Sequence, residues 1–451
     1  MLLDVYSKRF IFAFFVLLTS CESYHPKPLP VAPTSSSTVP YAVKDPKILA
    51  ISPWTSKAAQ SSQGFTMEQV AALAVLDSPT LKLARDDKGI AEAQAFSAGL
   101  LPDPQFGYTN NFPNPHQLDT TTAPNYGLTY DTTALLTRSL VKKENAAAKQ
   151  QARLTLLWQE WQVISQARVL YVKTIEQNRL LPVLQRQQSL LSARYQHTKQ
   201  ALREGNTTLD VVNADMNALT SLDQQILELK RQMNQTHSDL NSLLGLALTV
   251  KVPMSSTLDL SPINDQAINA ELAHLIARRP DLLALQAGYQ SEDARYRQAI
   301  WGQFPAITLN LNYGRDTTNV LSTGFGMSFD IPIFNRNRGN IAIEKATRKK
   351  LYDDFESRVN SSVNEVHTLQ TDLKLQEQEL AETNQALVTL KTAAMRAGTA
   401  YQRGDMDEPT YRQFQQDDLN KQVEAINLEE NVLLQRIALQ TLLGGQLPVS
   451  T

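Results

Sequence analysis

The stretch 324-GFGMSFDIPIFNRNRGNIAIEKATRKK-350 changes its repeat partway along. Phe325, Met327, Phe329, Ile331 and Ile333 alternate with Gly326, Ser328, Asp330 and Pro332, the two-residue period of a strand with one apolar face. After Asn340 the spacing becomes that of a helix, and neither Gly nor Pro interrupts it before Gly398. A helix of that length needs a partner helix along it, which points to a coiled coil.

Upstream, Ile307, Leu309, Leu311 and Tyr313 alternate with Thr308, Asn310 and Asn312. Segments of about ten residues match a tilted membrane strand. Weaker counterparts stand earlier in the chain, at Phe106-Gly107-Tyr108 and at Tyr126-Gly127-Leu128-Thr129-Tyr130. By itself, one such pair also suits a two-stranded ribbon resting on a soluble core.

These pairs belong to an internal repeat. Gly205 precedes Leu244-Gly245 and Gly404 precedes Leu443-Gly444, so both glycine separations are 40 residues (245 − 205 and 444 − 404). The endings NSLLG (241–245) and QTLLG (440–444) match, as do the openings LDSPTLKLARDD (76–87) and ARRPDLLALQAG (277–288). Each half reads as helix, strand, loop, strand, very long helix, glycine turn, helix. The first long helix is expected over 139–204; at 1.5 Å per residue its length is about 100 Å. Pro182 falls inside it and is expected to kink it without ending it.

The helix after the first turn carries a heptad stripe through Leu219, Leu222, Ile226, Leu229, Met233, Leu240 and Leu243, with only Thr236 polar. The matching stripe in the second half is mixed (Lys421, Ala425, Leu428, Val432, Gln435, Leu439, Leu442), and a shifted seam through Val423, Ile426 and Leu433 is the alternative. Four strands cannot close a membrane barrel, because small barrels begin at about eight. An open sheet edge in lipid leaves backbone groups unpaired. Several chains must therefore share one barrel.

The N-terminus has its own grammar. Phe10–Leu18 is too short to span a membrane but suits a signal-peptide core behind Lys8 and Arg9, although Asp4 is unusual there. Leu18-Thr19-Ser20-Cys21 follows, and Cys21 is the only cysteine. It resembles a bacterial lipoprotein box, which implies cleavage before Cys21 and its acylation; Glu22 in second place implies no inner-membrane retention. The boundaries expected are a signal peptide at 1–20, a lipidated Pro/Ser-rich tether at 21–60, a first repeat at 61–246, a linker at 247–268, a second repeat at 269–446 and a tail at 447–451.

With 451 residues and a formal net charge of −2, the composition gives no hint of a nucleic-acid partner. The six histidines (25, 116, 197, 237, 274, 367) show no paired ligand spacing, and no Walker loop or nucleophile elbow occurs. No enzyme, cofactor or protein-bound metal is expected.

The paired halves, the turns REGNTTLDVVNA and QRGDMDEPTYRQ, and IPIFNRNRGNIA at a strand-to-helix join make residues 60–446 resemble the TolC family of outer-membrane efflux proteins. The last motif is most like the family's heavy-metal and cation branch. The resemblance implies a mainly α chain with a small membrane β part, whose homotrimer forms a 12-stranded β-barrel continuing into a periplasmic α-helical barrel. It also implies a lipid-anchored outer-membrane location reaching into the periplasm, with a periplasmic adaptor (membrane fusion) protein and an inner-membrane transporter as partners.

Around the second turn, Arg403, Gly404, Asp405, Asp407 and Glu408 are candidates for a pore mouth. Three copies would concentrate negative charge there; the plainer reading is an acidic helix N-terminus favoured by the helix dipole. The aspartates that narrow the mouth in familiar members fall near Thr410 and Gln413, which are not acidic here. Around the first turn, Arg203, Gly205, Leu209, Asp210 and Val211 resemble the adaptor contact, and Asp210 is a candidate cap for the returning helix. The leading function is thus a passive exit duct of a tripartite efflux system, exporting small solutes such as metal cations or drugs. The alternatives are a coiled-coil scaffold without a pore, or a duct for secreted peptides or proteins.

Overall fold

The computed structural model describes residues 24–32, 34–42, 45–47, 64–113, 120–258 and 265–444. Two units are distinguished, Met1–Ser36 and Ser37–Thr451. The described residues of 24–32 and 34–36 form no helix or strand longer than a single bridge residue. Cys21, the signal peptide, residues 21–23, 33, 43–44 and 48–60 of the expected tether and the C-terminal tail lie outside the described residues.

The larger unit follows the repeat. The first half contains α1 (Met67–Asp77), α2 (Pro79–Gly99), β1 (Gln105–Asn111), β2 (Ala123–Asp131), α3 (Thr133–Arg203) and α4 (Leu209–Leu243). The second contains α5 (Asp265–Ala273), α6 (Leu275–Arg278), α7 (Pro280–Trp301), β3 (Ile307–Arg315), β4 (Leu321–Phe329), α8 (Arg338–Arg403) and α9 (Glu408–Leu443). The 71 residues of α3 and 66 of α8 span about 100 Å each at 1.5 Å per residue. Among glycines with positive φ, the described residues hold Gly205, Gly245, Gly404 and Gly444, the two matched pairs of the repeat. Each ends a long helix in the left-handed region that glycine enters without a Cβ penalty.

The elements line up in one order at three levels. The sheet runs β1-β2-β3-β4, all antiparallel. Next to it, α2 packs on α3, α3 on α7 and α7 on α8. Toward the glycine turns, α4 packs on α3, α3 on α9 and α9 on α8. Every level therefore sets two elements of the first repeat beside two of the second.

Two apolar clusters hold the middle. One joins Phe65, Leu73, Leu81, Tyr171 and Leu240; its counterpart in the second repeat joins Ile268, Leu275, Leu282, Val366 and Leu439. In the first, Phe65 N–H donates to Pro253 (2.8 Å) and Ser255 N–H to Phe65 (2.9 Å), while the Tyr171 hydroxyl donates to the Ser255 carbonyl. Thr66 closes a capping box with Gln69 at the start of α1.

Several expectations are adjusted. α3 begins at Thr133, earlier than Ser139, and continues through Pro182. α5 starts at Asp265, inside the stretch expected as linker. β4 spans Leu321–Phe329 and stops short of Ile333: Phe329 already faces Ile307, the first residue of β3, and Pro332 has no N–H to give a ladder. On α9 both proposed seams are used. Ala425, Val432, Leu439 and Leu443 are buried, the last three in the cluster with α8, while Leu419, Ile426, Leu433 and Ile437 are buried in clusters with α3. A helix packed on two sides has no single apolar stripe, which is why neither register read cleanly.

Candidate functional site

The sheet separates two chemistries by its register. Phe106, Leu128, Leu311 and Phe325 stand opposite one another across all four strands, and Tyr130, Leu309 and Met327 across three. Side chains two apart share a face, so the face holding Phe106 also holds Tyr108, Tyr126 and Tyr313. Phe106 and Phe325 are each 70% exposed, and Leu311 is 53% exposed. The other face is polar: Thr129 stands between and Asn310 beside it, with the Thr129 hydroxyl donating to Asn310 Oδ1 at 2.8 Å, and Asn312 faces Gly127 and Gly324. One polar face and one mainly apolar, largely exposed face, interrupted by Asn110 and Thr323 toward one end, suit a wall between water and lipid. β1 and β4 leave open edges.

The far ends of the long helices carry the two turns. In the second, Asp407 is the N-cap of α9 and accepts from the Thr410 N–H at 2.8 Å. Hydrogen bonds from Thr410 hold the Asp407 carboxyl below its ordinary value. Glu408 accepts from Arg412 Nε at 2.7 Å in an i,i+4 pair. Asp405 makes a backbone bond from its N–H to Ala400 (2.9 Å), and its side chain is exposed, as are Arg403 and Gly404. Tyr401 and Tyr411 stack at 5.0 Å, with interplanar angle 9°, and lock the two helices just behind the turn. The capping reading thus accounts for Asp407, and ion pairing for Glu408, leaving Asp405 as the outward acid of the turn.

In the first turn the N-cap of α4 is Thr208. Asp210, a candidate for that cap, is instead a first-turn acid placed to complement the helix dipole. Arg203, Gly205 and Asp210 are exposed, and beside them Leu209 and Val211 are 60% and 41% exposed. A short apolar step between charged groups at a chain tip suits a protein contact.

Two buried carboxyl groups escaped the sequence reading. Glu176 on α3 is fully buried, paired with Arg179 (2.8 and 2.9 Å), which also reaches Glu429 on α9 at 2.5 Å. Burial pushes Glu176 up to about 7 against the pull of Arg179. Glu292 on α7, 4% exposed, is also raised to about 7, first by burial and then by the carboxyl of Glu344 on α8. Arg295 holds Glu144 on α3 at 3.0 Å beside it. Both sit where α3 of the first repeat meets the second. No spacing pattern marks them, because their burial arises from helices far apart in sequence. Among the described residues, no group of three or more His, Cys, Asp or Glu is arranged to hold a metal ion.

Residues 272–445, which cover most of the second repeat, match the family model described as outer membrane efflux protein. No curated protein matches the chain. The fold is that of several solved outer-membrane channels. The Campylobacter jejuni CmeC outer membrane channel is 15% identical with a TM-score of 0.69, covering 85% of this chain and 87% of that one. The Vibrio cholerae outer membrane protein VceC is 15% identical with a TM-score of 0.66, covering 84% and 96%. CusC, described for conformational changes that accompany folding and transmembrane channel formation, is 15% identical with a TM-score of 0.65, covering 94% and 100%. The family match on the second repeat and the shared fold over both repeats make the chain similar to outer membrane efflux proteins.

Proposed function

We propose that three copies of this chain close one 12-stranded barrel in the outer membrane and continue as a helical tunnel into the periplasm. The tunnel serves as the passive exit duct of a tripartite efflux system. The observation that carries this reading is the four-stranded sheet: one apolar and one polar face in register, two open edges, and direct continuation into helices of about 100 Å. β1 of one copy pairs with β4 of the next, which removes every edge from lipid. Reconstituted protein is expected to conduct ions across a planar lipid bilayer, and absence of any conductance would count against a duct.

The finer parts of the proposal have separate supports. The second turn, with Arg403, Gly404, Asp405, Asp407 and Glu408, forms the tunnel mouth, and the acidic excess favours small solutes of positive charge, metal cations among them. The first turn, with Arg203, Gly205, Leu209, Asp210 and Val211, meets a periplasmic adaptor that links the duct to an inner-membrane transporter. Cys21 is the acylated first residue of the mature chain and, with the barrel, holds the protein in the outer membrane. Mass spectrometry of the mature N-terminus is expected to give a lipid-modified Cys21; an unmodified thiol or cleavage elsewhere removes the anchor from the account.

A further inference from the structure

The apolar alternation of β4 outlasts its pairing. Ladder contacts end at Phe329, yet Ile331 and Ile333 continue the same alternate set and are 70% and 63% exposed, followed by Phe334 at 94%. The chain then turns through two left-handed residues, Arg336 (φ 45) and Asn337 (φ 54), before α8 begins at Arg338. That conformation is costly for residues with a side chain. It is fixed by Asn337, whose Nδ2 donates to the Ala299 carbonyl at 2.8 Å and whose amide fills the space beside Gly302. Trp301 and Phe304 lie at this same end of α7, 5.5 Å apart and about half exposed. Arg336 and Arg338 are exposed and enter no ion pair among the described residues, whereas Arg348 and Arg358 further along α8 do.

Length gives the segment a place. Nine residues of β4 at ~3.4 Å and a tilt of ~45° rise ~22 Å, slightly under the ~25 Å apolar band of a barrel wall. Beyond Phe329 the chain leaves the strand through a tight turn around Pro332, where the Ile333 N–H donates to the Ile331 carbonyl (2.9 Å), and this turn lies toward the headgroup level on the side where the helices begin. Aromatic rings and arginines are the side chains that settle there, the rings at the interface and the guanidinium groups on phosphates.

We infer that Ile331, Ile333 and Phe334 form a foot that sits in the periplasmic-side lipid leaflet, with Arg336 and Arg338 binding the phosphates of anionic phospholipid headgroups. This rests on the barrel reading above. The left-handed turn serves to aim the foot outward while α8 departs along the tunnel. Apolar continuity with the exposed sheet face and the two unpaired cations favour lipid over a neighbouring copy of the chain.

The test is spin-label accessibility in vesicles of phosphatidylethanolamine with phosphatidylglycerol, using full-length Cys21→Ser protein with Phe334→Cys or Phe325→Cys. Phe325→Cys reports the barrel. A label there that is reached by the water-soluble nickel chelate, or by neither reagent, overturns the barrel reading itself. With that control reached by oxygen only, the foot requires Phe334→Cys to be reached by oxygen and shielded from nickel. Access to nickel places it in water, and access to neither reagent places it against protein; either overturns the inference. For the arginines, replacing phosphatidylcholine by phosphatidylglycerol is expected to raise the midpoint of thermal dissociation. Arg336→Gln with Arg338→Gln should at least halve that rise, and an undiminished rise overturns the headgroup assignment.

Discussion

Glu292 is held in a three-helix junction where one cation, Arg295, faces the carboxyls of Glu144, Glu292 and Glu344. Its folded pKa, about 7, exceeds the ordinary 4.5, so between these values the folded chain binds the proton that the unfolded chain has lost. Stability therefore falls as pH rises from about 4.5 through 7 and no longer changes above that. Glu292→Gln keeps the neutral shape and is expected to reduce this slope and to raise the melting temperature at pH 8 relative to the parent. Melts at pH 5, 6, 7 and 8 check it, and an unchanged slope would mean that Glu292 does not titrate in this range. Glu176 is expected to contribute a second, similar component. At the tip, Asp405→Asn should lower cation preference in bilayer conductance at low salt, and the effect should fade near 1 M, where screening acts over about 3 Å. Asp407→Ala, which removes the cap that accepts from the Thr410 N–H, should instead loosen the start of α9 by about 1 kcal/mol. Little of this was legible in sequence. The turn residues could be named from their glycines, but which acid caps, which pairs and which is left outward depends on backbone angles that no spacing records.

The sheet and the α4 seam are the elements whose patterns could be read directly, because each buries or exposes one face only. Leu222, Ile226 and Leu229 are 4–6% exposed, as the heptad stripe required. Ile226→Ala should cost about 2–5 kcal/mol through lost burial and a residual cavity, measured by denaturation of the purified protein. On the sheet, Leu311→Arg at the centre of the apolar row should cost about 2–4 kcal/mol in the membrane. Asn310→Arg, on the polar face, should be tolerated. Equal costs at the two neighbours would deny that the faces differ in solvent. α9 was harder to read, since it packs on α8 and α3 at once and so blends two stripes. The end of β4 was misread for a related reason: alternation records which face is apolar, whereas strand length is set by the partner, and β3 begins at Ile307.

At the scale of the whole molecule, the same neighbour order in sheet and helices leaves β1, α2 and α4 on one side of the chain and β4 and α8 on the other. A repeat that leaves matched edges at every level is built to meet further copies of itself. The two-repeat plan was legible because both glycine pairs keep one separation, and each of the four glycines takes the positive φ that a helix end of this kind needs. Which solute passes was not legible, since a passage needs no tight site and leaves no motif. The claim on which the rest depends is that three chains share one barrel. Native mass spectrometry of the protein extracted from membranes in mild detergent tests it most directly. The account predicts a mass of three chains, with no stable monomer until the barrel is disrupted; a stable monomer that stays in solution without detergent would contradict it.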